Sequence, residues 1–349
     1  MKDIYFEDLR PGDVSTFGGM TVTREAIVEF AREFDPQPFH LDEEAARHTF
    51  VGRLIASGWH SCAMQMRMVC DGWLLRSSSM GAPGIEEVKW LKPVLPGDTL
   101  SIRQTILDAK TSRSRPGSGL VHFRLEMLNG AGEPVMSQTM WVMFGLREPP
   151  ADAAAPAERS GPAAPAEAAA EEPAPERRPA RSFDDLVVGR REELGSYTFT
   201  PESIVRFARE FDPQPFHVDE AAARTSHFGG LVASGWHTAA CWMRSLIAHR
   251  ARMNAVLAEE GLSKPRFGPS PGFRNLRWLK PVRAGDTLAF ASTVADRRAS
   301  LSRPGWGLVF SHNTGHNQHG ELVFSFEGSA FWGRREPTDQ NAGSELIAR

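Results

Sequence analysis

Apolar residues follow a helical spacing in two stretches of the chain. Ile27, Phe30, Ala31 and Phe34 line one face behind Thr23, and Ile204, Phe207, Ala208 and Phe211 line one face behind Thr200 and Pro201. A threonine in the capping position, with proline at the first helical position in the second copy, predicts a helix start at both places. The Asp-Pro-Gln-Pro that follows ends each helix. Proline brings no amide donor and restricts the residue before it, so Asp35 to His40 is expected to be a stiff loop. Longer segments beginning near Ser57-Gly58 and near Ser234-Gly235 predict a second, longer helix in each copy. Glu87 to Leu91, Thr99 to Leu107, Leu120 to Leu128 and Val135 to Phe144 read as strands, with Asn129-Gly130 as a turn. A long helix followed by a run of antiparallel strands is an α+β order, and a sheet wrapped around that helix would bury it.

The two copies are a repeat. Phe30 to His60 returns as Phe207 to His237 with 23 of 31 positions identical, at an offset of 177. Val88 to Leu100 returns as Leu276 to Leu288, and Ser114 to Val121 as Ser302 to Val309, at an offset of 188. The second copy therefore carries about 11 extra residues between His237 and Trp278, which suggests two pockets of different shape. Units of this length are duplicated domains, longer than solenoid repeats. Between them Pro150 to Arg181 holds 13 Ala and 7 Pro among 32 residues, with no Leu, Ile, Val or aromatic residue. Such a segment has nothing to bury and is expected to be a disordered linker, with a flexible span of roughly 30 Å. The expected division is a first domain over 1–149, the linker over 150–181 and a second domain over 182–340.

With 349 residues, 41% hydrophobic and 24% charged, the chain has the composition of a globular two-domain protein. The net charge of −3 gives no general footprint for nucleic acid or for an acidic membrane surface. Cys62, Cys70 and Cys241 are an odd number without CxxC spacing, so neither a disulfide framework nor a zinc knuckle is expected. The reducing cytoplasm is the expected location. The start of the chain is charged, and no run of about 18 apolar residues occurs, so neither a signal peptide nor a membrane span is expected.

Asp35 and His40, and their counterparts Asp212 and His217, are the chemical candidates. A carboxylate beside an imidazole fixes its tautomer, and the two together can move a proton at neutral pH. A structural role suits them too, since Asp before Pro is common in turns. Ser57 and Ser234 can cap the long helices. The amides of Gly58 and Gly235 would then lie at the positive helix ends, with no side chain to block a carbonyl oxygen. The alternative is a plain serine cap with glycine allowing close packing. Trp59 and Trp236 read as core, and Met64, Met66 and Met68 as packing or as a pocket wall. Lys92, Arg115, Lys280 and Arg303 are the nearby basic residues; Arg115 and Arg303 stand in Ser-Arg-Pro-Gly turns, where a guanidinium can grip a phosphate or simply face solvent. His40, His48 and His60 lack the short spacing of zinc helices, and Ser57 is outside any G-x-S-x-G elbow, so neither a metal nor a serine nucleophile is expected.

Asp35-x-x-Pro38-x-His40, followed by Asp42 and by Gly58 at the head of a long helix, resembles the MaoC-like, R-specific enoyl-CoA hydratase family of the hot-dog fold. Lys92-Pro93-Val94 and Pro96-Gly97-Asp98 are also similar to that family's pattern, and the resemblance covers both copies but not the linker. It implies two tandem hot-dog domains forming an intramolecular pseudo-dimer. It implies a hydratase or dehydratase that interconverts 2-enoyl-CoA and (R)-3-hydroxyacyl-CoA. His40 and His217 would activate water for attack at C3, Asp35 and Asp212 would handle the proton at C2, and Gly58 and Gly235 would supply oxyanion amides. Both copies keep these residues, so two competent sites per chain are expected.

Two positions depart from the family's pattern. Gln37 and Gln214 stand where it usually has Asn, and Ser57 and Ser234 where it usually has His. With Trp59, Trp236, Arg115 and Arg303 they complete the expected substrate-binding set. The partner implied is an acyl-CoA substrate, with CoA belonging to the substrate and no other cofactor. No nucleic acid or membrane partner is expected, and association of pseudo-dimers into a homodimer is compatible with the sequence. A hot-dog acyl-CoA thioesterase and a non-catalytic acyl-CoA binding module are the alternative functions.

Overall fold

The computed structural model describes residues 3–148 and 179–335, so most of the expected linker, 150–178, lies outside the described residues. The first half runs β1 (Val14–Thr21), α1 (Arg24–Phe34), α2 (Pro38–Leu41), α3 (Glu43–Arg47), α4 (Gly58–Gly72), β2 (Gly84–Trp90), β3 (Thr99–Thr111), β4 (Ser118–Leu128) and β5 (Pro134–Gly145). The second half repeats this order as β6 (Arg191–Thr198), α5 (Pro201–Phe211), α6 (Pro215–Val218), α7 (Glu220–Thr225), α8 (Gly235–Glu259), β7 (Gly272–Trp278), β8 (Thr287–Ala299), β9 (Trp306–His316) and β10 (Leu322–Gly333). Each half is a hot-dog domain, a curved antiparallel sheet around a long helix. Ten of the extra residues of the second copy lengthen its helix, since α8 has 25 residues and α4 has 15.

The caps form as the sequence predicts. Thr23 accepts from the Ala26 amide, Thr200 from the Ser203 amide, and Ser57 and Ser234 from the amides of Trp59 and Trp236. The stiff loop expected over Asp35 to His40 is corrected in its second part: Pro38–Leu41 closes one helical turn with His40 on it. Pro38 occupies its first position, where no amide donor is needed, and Gln37 before it is extended, as a residue preceding proline prefers. The edge strands β1 and β6 were not expected. Almost all of β1 is exposed, so no alternation of apolar and polar residues marks it.

The strands form one sheet in the order β1-β3-β4-β5-β2-β7-β10-β9-β8-β6, with the antiparallel pair β2·β7 joining the halves. Glycine makes that junction possible. A Cβ on Gly84 would meet the Leu276 carbonyl oxygen at 2.1 Å, and one on the equivalent Gly272 would meet the Val88 carbonyl oxygen at 2.0 Å. On the helical side the halves interlock through aromatic rings. Phe30 packs edge-on against Phe211, and Phe34 against Phe207, both at 5.7 Å between ring centroids. His60 stacks on Phe30 at 4.5 Å and His237 on Phe207 at 4.7 Å. Each of the four buried phenylalanine rings stabilises the fold by roughly 1.5–3 kcal/mol. Burial, with a smaller contribution from His40, pushes the His60 imidazole down to about 3. Burial, then Arg206 and His217, push His237 down to about 3 as well. Both are neutral stacking partners at physiological pH.

Candidate active site

Asp35 is the residue after α1 and His40 lies on the one-turn α2, so the proline-stiffened segment between them fixes their approach. The His40 Nδ1 lies 2.8 Å from the Ile55 carbonyl oxygen. A carbonyl only accepts, so Nδ1–H donates and Nε2 carries the exchangeable proton. That Nε2 is 3.3 Å from Asp35 Oδ2. Two bare lone pairs would repel at this distance, so the dyad holds one proton between imidazole and carboxylate. Ser57 donates to Asp35 Oδ2 at 2.6 Å and Gln37 to Oδ1 at 2.9 Å. Burial works to raise the Asp35 pKa, but the His40 charge and the bonds from His40, Ser57 and Gln37 outweigh it and hold the carboxyl below its ordinary value of 3.8.

Gly58 opens α4 directly after the Ser57 cap, and its first-turn amide has no partner within the helix ladder. A Cβ there would stand 2.4 Å from the Trp90 ring, so only glycine fits between helix and sheet. The second half repeats this construction. His217 Nε2 is 3.5 Å from Asp212 Oδ2, and its Nδ1 is 2.7 Å from the Val232 carbonyl oxygen. Ser234 and Gln214 donate to Asp212 at 2.6 and 2.9 Å, and Trp278 excludes a side chain at Gly235. One contact is peculiar to this copy: the Cys70 thiol of the first half donates to Asp212 Oδ1 at 3.5 Å.

The surroundings of the two dyads differ. A cavity of about 660 Å³ is lined by Asp35, Gln37, His40, Gly58 and Trp59. Its other walls come from the second half, with Leu246, His249, Arg250 and Met253 on α8 and Ser311, Asn313, Gly328 and Ala330 on β9 and β10. The size and the mainly apolar lining with a few polar groups suit a small-molecule ligand. Arg303 also lines it, across the junction from its own half and 4.5 Å over the Phe50 ring. Asp212, His217, Gln214, Gly235 and Trp236 do not line this cavity, and neither does Arg115, which stands in the β3–β4 turn.

Ser57 and Ser234 are fully buried behind their aspartates, with hydroxyls engaged by carboxylate and helix amide. Met64 and Met68 lie in the core. The walls supplied by α8 and by β9 and β10 lie outside the expected site residues; their signal in the sequence is where the copies differ, in the extra residues after His237 and in Ser311 and Asn313 at the positions of Phe123 and Leu125. Among the described residues, no three metal-ligating side chains gather, and no helix is long and apolar enough to cross a membrane.

The profile of the MaoC like domain matches residues 10–122 and 187–303, once in each half. The chain belongs to the MaoC-like family and consists of two tandem hot-dog domains. The whole fold superposes on a MaoC domain protein from Chloroflexus aurantiacus with a TM-score of 0.75 at 18% identity, covering 95% of this chain and 98% of that one. A conserved hypothetical protein from Mycobacterium tuberculosis, described as having a double hotdog fold, superposes with a TM-score of 0.68 at 18% identity, covering 94% and 98%. In sequence the chain is similar to a mesaconyl-CoA hydratase from Cereibacter sphaeroides, 37% identical over 169 residues. That match spans 44% of this chain and 44% of that protein, less than half of each.

Proposed function

We propose that the protein is a hydratase or dehydratase of 2-enoyl-CoA and (R)-3-hydroxyacyl-CoA thioesters, and that the Asp35–His40 dyad performs the reaction. The observation that carries the reading is the convergence of Asp35, His40 and Gly58 on one ligand-sized cavity. The similarity to a mesaconyl-CoA hydratase points to the same class of reaction.

For hydration, the dyad begins with the carboxyl protonated and the imidazole neutral. His40 Nε2 takes a proton from water as the water oxygen bonds to C3, electrons move toward the thioester oxygen, and Asp35 delivers its proton to C2. The enolate character that develops meets the Gly58 amide, which therefore binds the transition state more strongly than the substrate. The product state is an imidazolium beside a carboxylate, and one proton transfer across the 3.3 Å gap restores the start. The lowered Asp35 pKa favours its carboxylate form. It is the form that begins the reverse reaction, with Asp35 taking the C2 proton and His40 protonating the departing hydroxyl.

The test is to follow the ultraviolet absorption of a conjugated enoyl-CoA together with free thiol. Hydration lowers the absorption and leaves the thioester whole. Release of thiol at the same rate would instead make the protein a thioesterase, and ligand-dependent thermal stabilisation without either change would make it a binding module.

A further inference from the structure

The helices α4 and α8 start on equivalent glycines 177 residues apart, so the position of Trp73 beside α4 is that of Arg250 on α8. Trp73 is buried against Phe123 and Phe144, with ring centroids 5.5 and 5.8 Å away. Arg250 is half-buried and lines the cavity, its guanidinium 4.0 Å over the Phe267 ring. Among the described residues, its guanidinium makes no ion pair and no hydrogen bond. The carboxylates within its electrostatic reach are Asp35 and Glu192. Both are engaged elsewhere, Asp35 with His40 at 3.3 Å, and Glu192 with Arg190 at 3.0 Å and His249 at 3.4 Å. The cavity therefore contains a half-buried cation that no anion among the described residues neutralises by contact, and its partial loss of water is costly until a ligand supplies the anion.

We propose that Arg250 receives a carboxylate carried by the acyl group of the substrate, so that the cavity takes the CoA thioester of an unsaturated dicarboxylic acid. This rests on the reading of the site as an enoyl-CoA hydratase and narrows its substrate class. A phosphate of CoA is the other anion an arginine could hold. Arg250 lies within electrostatic reach of the reacting carboxylate, however, whereas the phosphates stand a whole pantetheine arm from the thioester. Arg303, exposed on its turn and also lining the cavity, suits that distant anionic end. Ser292, Ser311 and Asn254 add neutral hydrogen-bonding groups to the cavity, where the first half has Gln104 and Phe123 at the two strand positions. An acyl chain ending in a methyl group leaves the guanidinium unpaired, which is the strongest form of discrimination a pocket has.

The experiment uses matched CoA thioesters that differ only in a terminal methyl or carboxylate: crotonyl and fumaryl at four carbons, hex-2-enoyl and hex-2-enedioyl at six. Dissociation constants from calorimetry and kcat/KM are measured for the wild type, Arg250→Lys and Arg250→Met. The wild type should favour the carboxylate member of at least one pair by about 10- to 100-fold. Arg250→Met should abolish that ratio and Arg250→Lys should keep part of it. A wild-type preference for the methyl member in both pairs overturns the proposal. So does an equal loss on both members in Arg250→Met, which would assign the arginine to the CoA phosphates. Tighter binding of the carboxylate member with no turnover of any thioester would keep the carboxylate site and refute the hydratase reading.

Discussion

The two halves share a fold and a dyad, yet one sheet is filled and the other hollow. In the first half Phe123, Leu125, Met140 and Val142 are buried on the inner face of β4 and β5. The matching register of β9 and β10 carries Ser311, Asn313, Gly328 and Ala330, and these line the cavity. The hollow sheet faces the dyad of the opposite half, so by the pseudo-twofold symmetry the filled sheet faces Asp212 and His217. Two dyads with nearly the same internal distances thus look into unequal rooms. Identical Asp, His and Gly letters are therefore insufficient evidence for identical sites, because part of the wall around the Asp35–His40 dyad comes from the other copy.

Breaking one dyad at a time is the sharpest probe of this difference. Asp35→Asn should lower kcat for enoyl-CoA hydration by about 100- to 10,000-fold, the usual share of acid–base catalysis. Asp212→Asn, normalised to folded protein, should stay within about twofold of wild type. Equal losses in the two variants would support the expected two competent sites per chain. Next in size is the cost of hollowing the filled sheet. Phe123 is wholly buried, so Phe123→Ala should destabilise the protein by about 3–5 kcal/mol in urea unfolding. Ser311→Ala, at the equivalent position, should change stability by less than about 1 kcal/mol. Similar values for the two would mean that the second sheet is packed as tightly as the first.

Acid titration of the core tests what the halves have in common. His60 and His237 protonate near 6.5 in the unfolded chain and only at about 3 when folded. The unfolded state therefore binds the protons first, and the stability that the neutral rings provide is lost as pH falls from 6.5 toward 3. The slope is at most about 1.4 kcal/mol per histidine for each pH unit. His60→Phe and His237→Phe should each flatten the acid limb of Tm against pH by a similar amount, and a response from one histidine alone would extend the asymmetry to the core.

Much of this architecture is legible in the chain. The repeat, the threonine and serine caps and four strands of the first half follow from spacing and local chemistry, because each depends on residues near in sequence. The pairing of Asp35 with His40 is legible for the same reason, since five residues and two prolines leave few arrangements. The helical turn at Pro38 is a finer matter: proline both stops one helix and starts another, and the letters alone favoured the stop. Ownership of the cavity is less accessible. It joins Asp35 to Arg250 and Asn313 across the β2·β7 junction, and a single copy contains no sign of which partner it will face. Ser57 illustrates the same limit. Its capping role was evident, but its bond to Asp35 spans 22 residues and turns an expected pocket wall into a support behind the carboxylate.

Covalent fusion of the halves changes what the fold can try. In an assembly of two identical chains, a mutation that carves room beside one dyad also removes the rivet beside the other, and both costs fall on every molecule. Here tryptophan at position 73 can hold one lobe firm while arginine at 250 explores charge in its twin, so rigidity and novelty need not compete for the same codon.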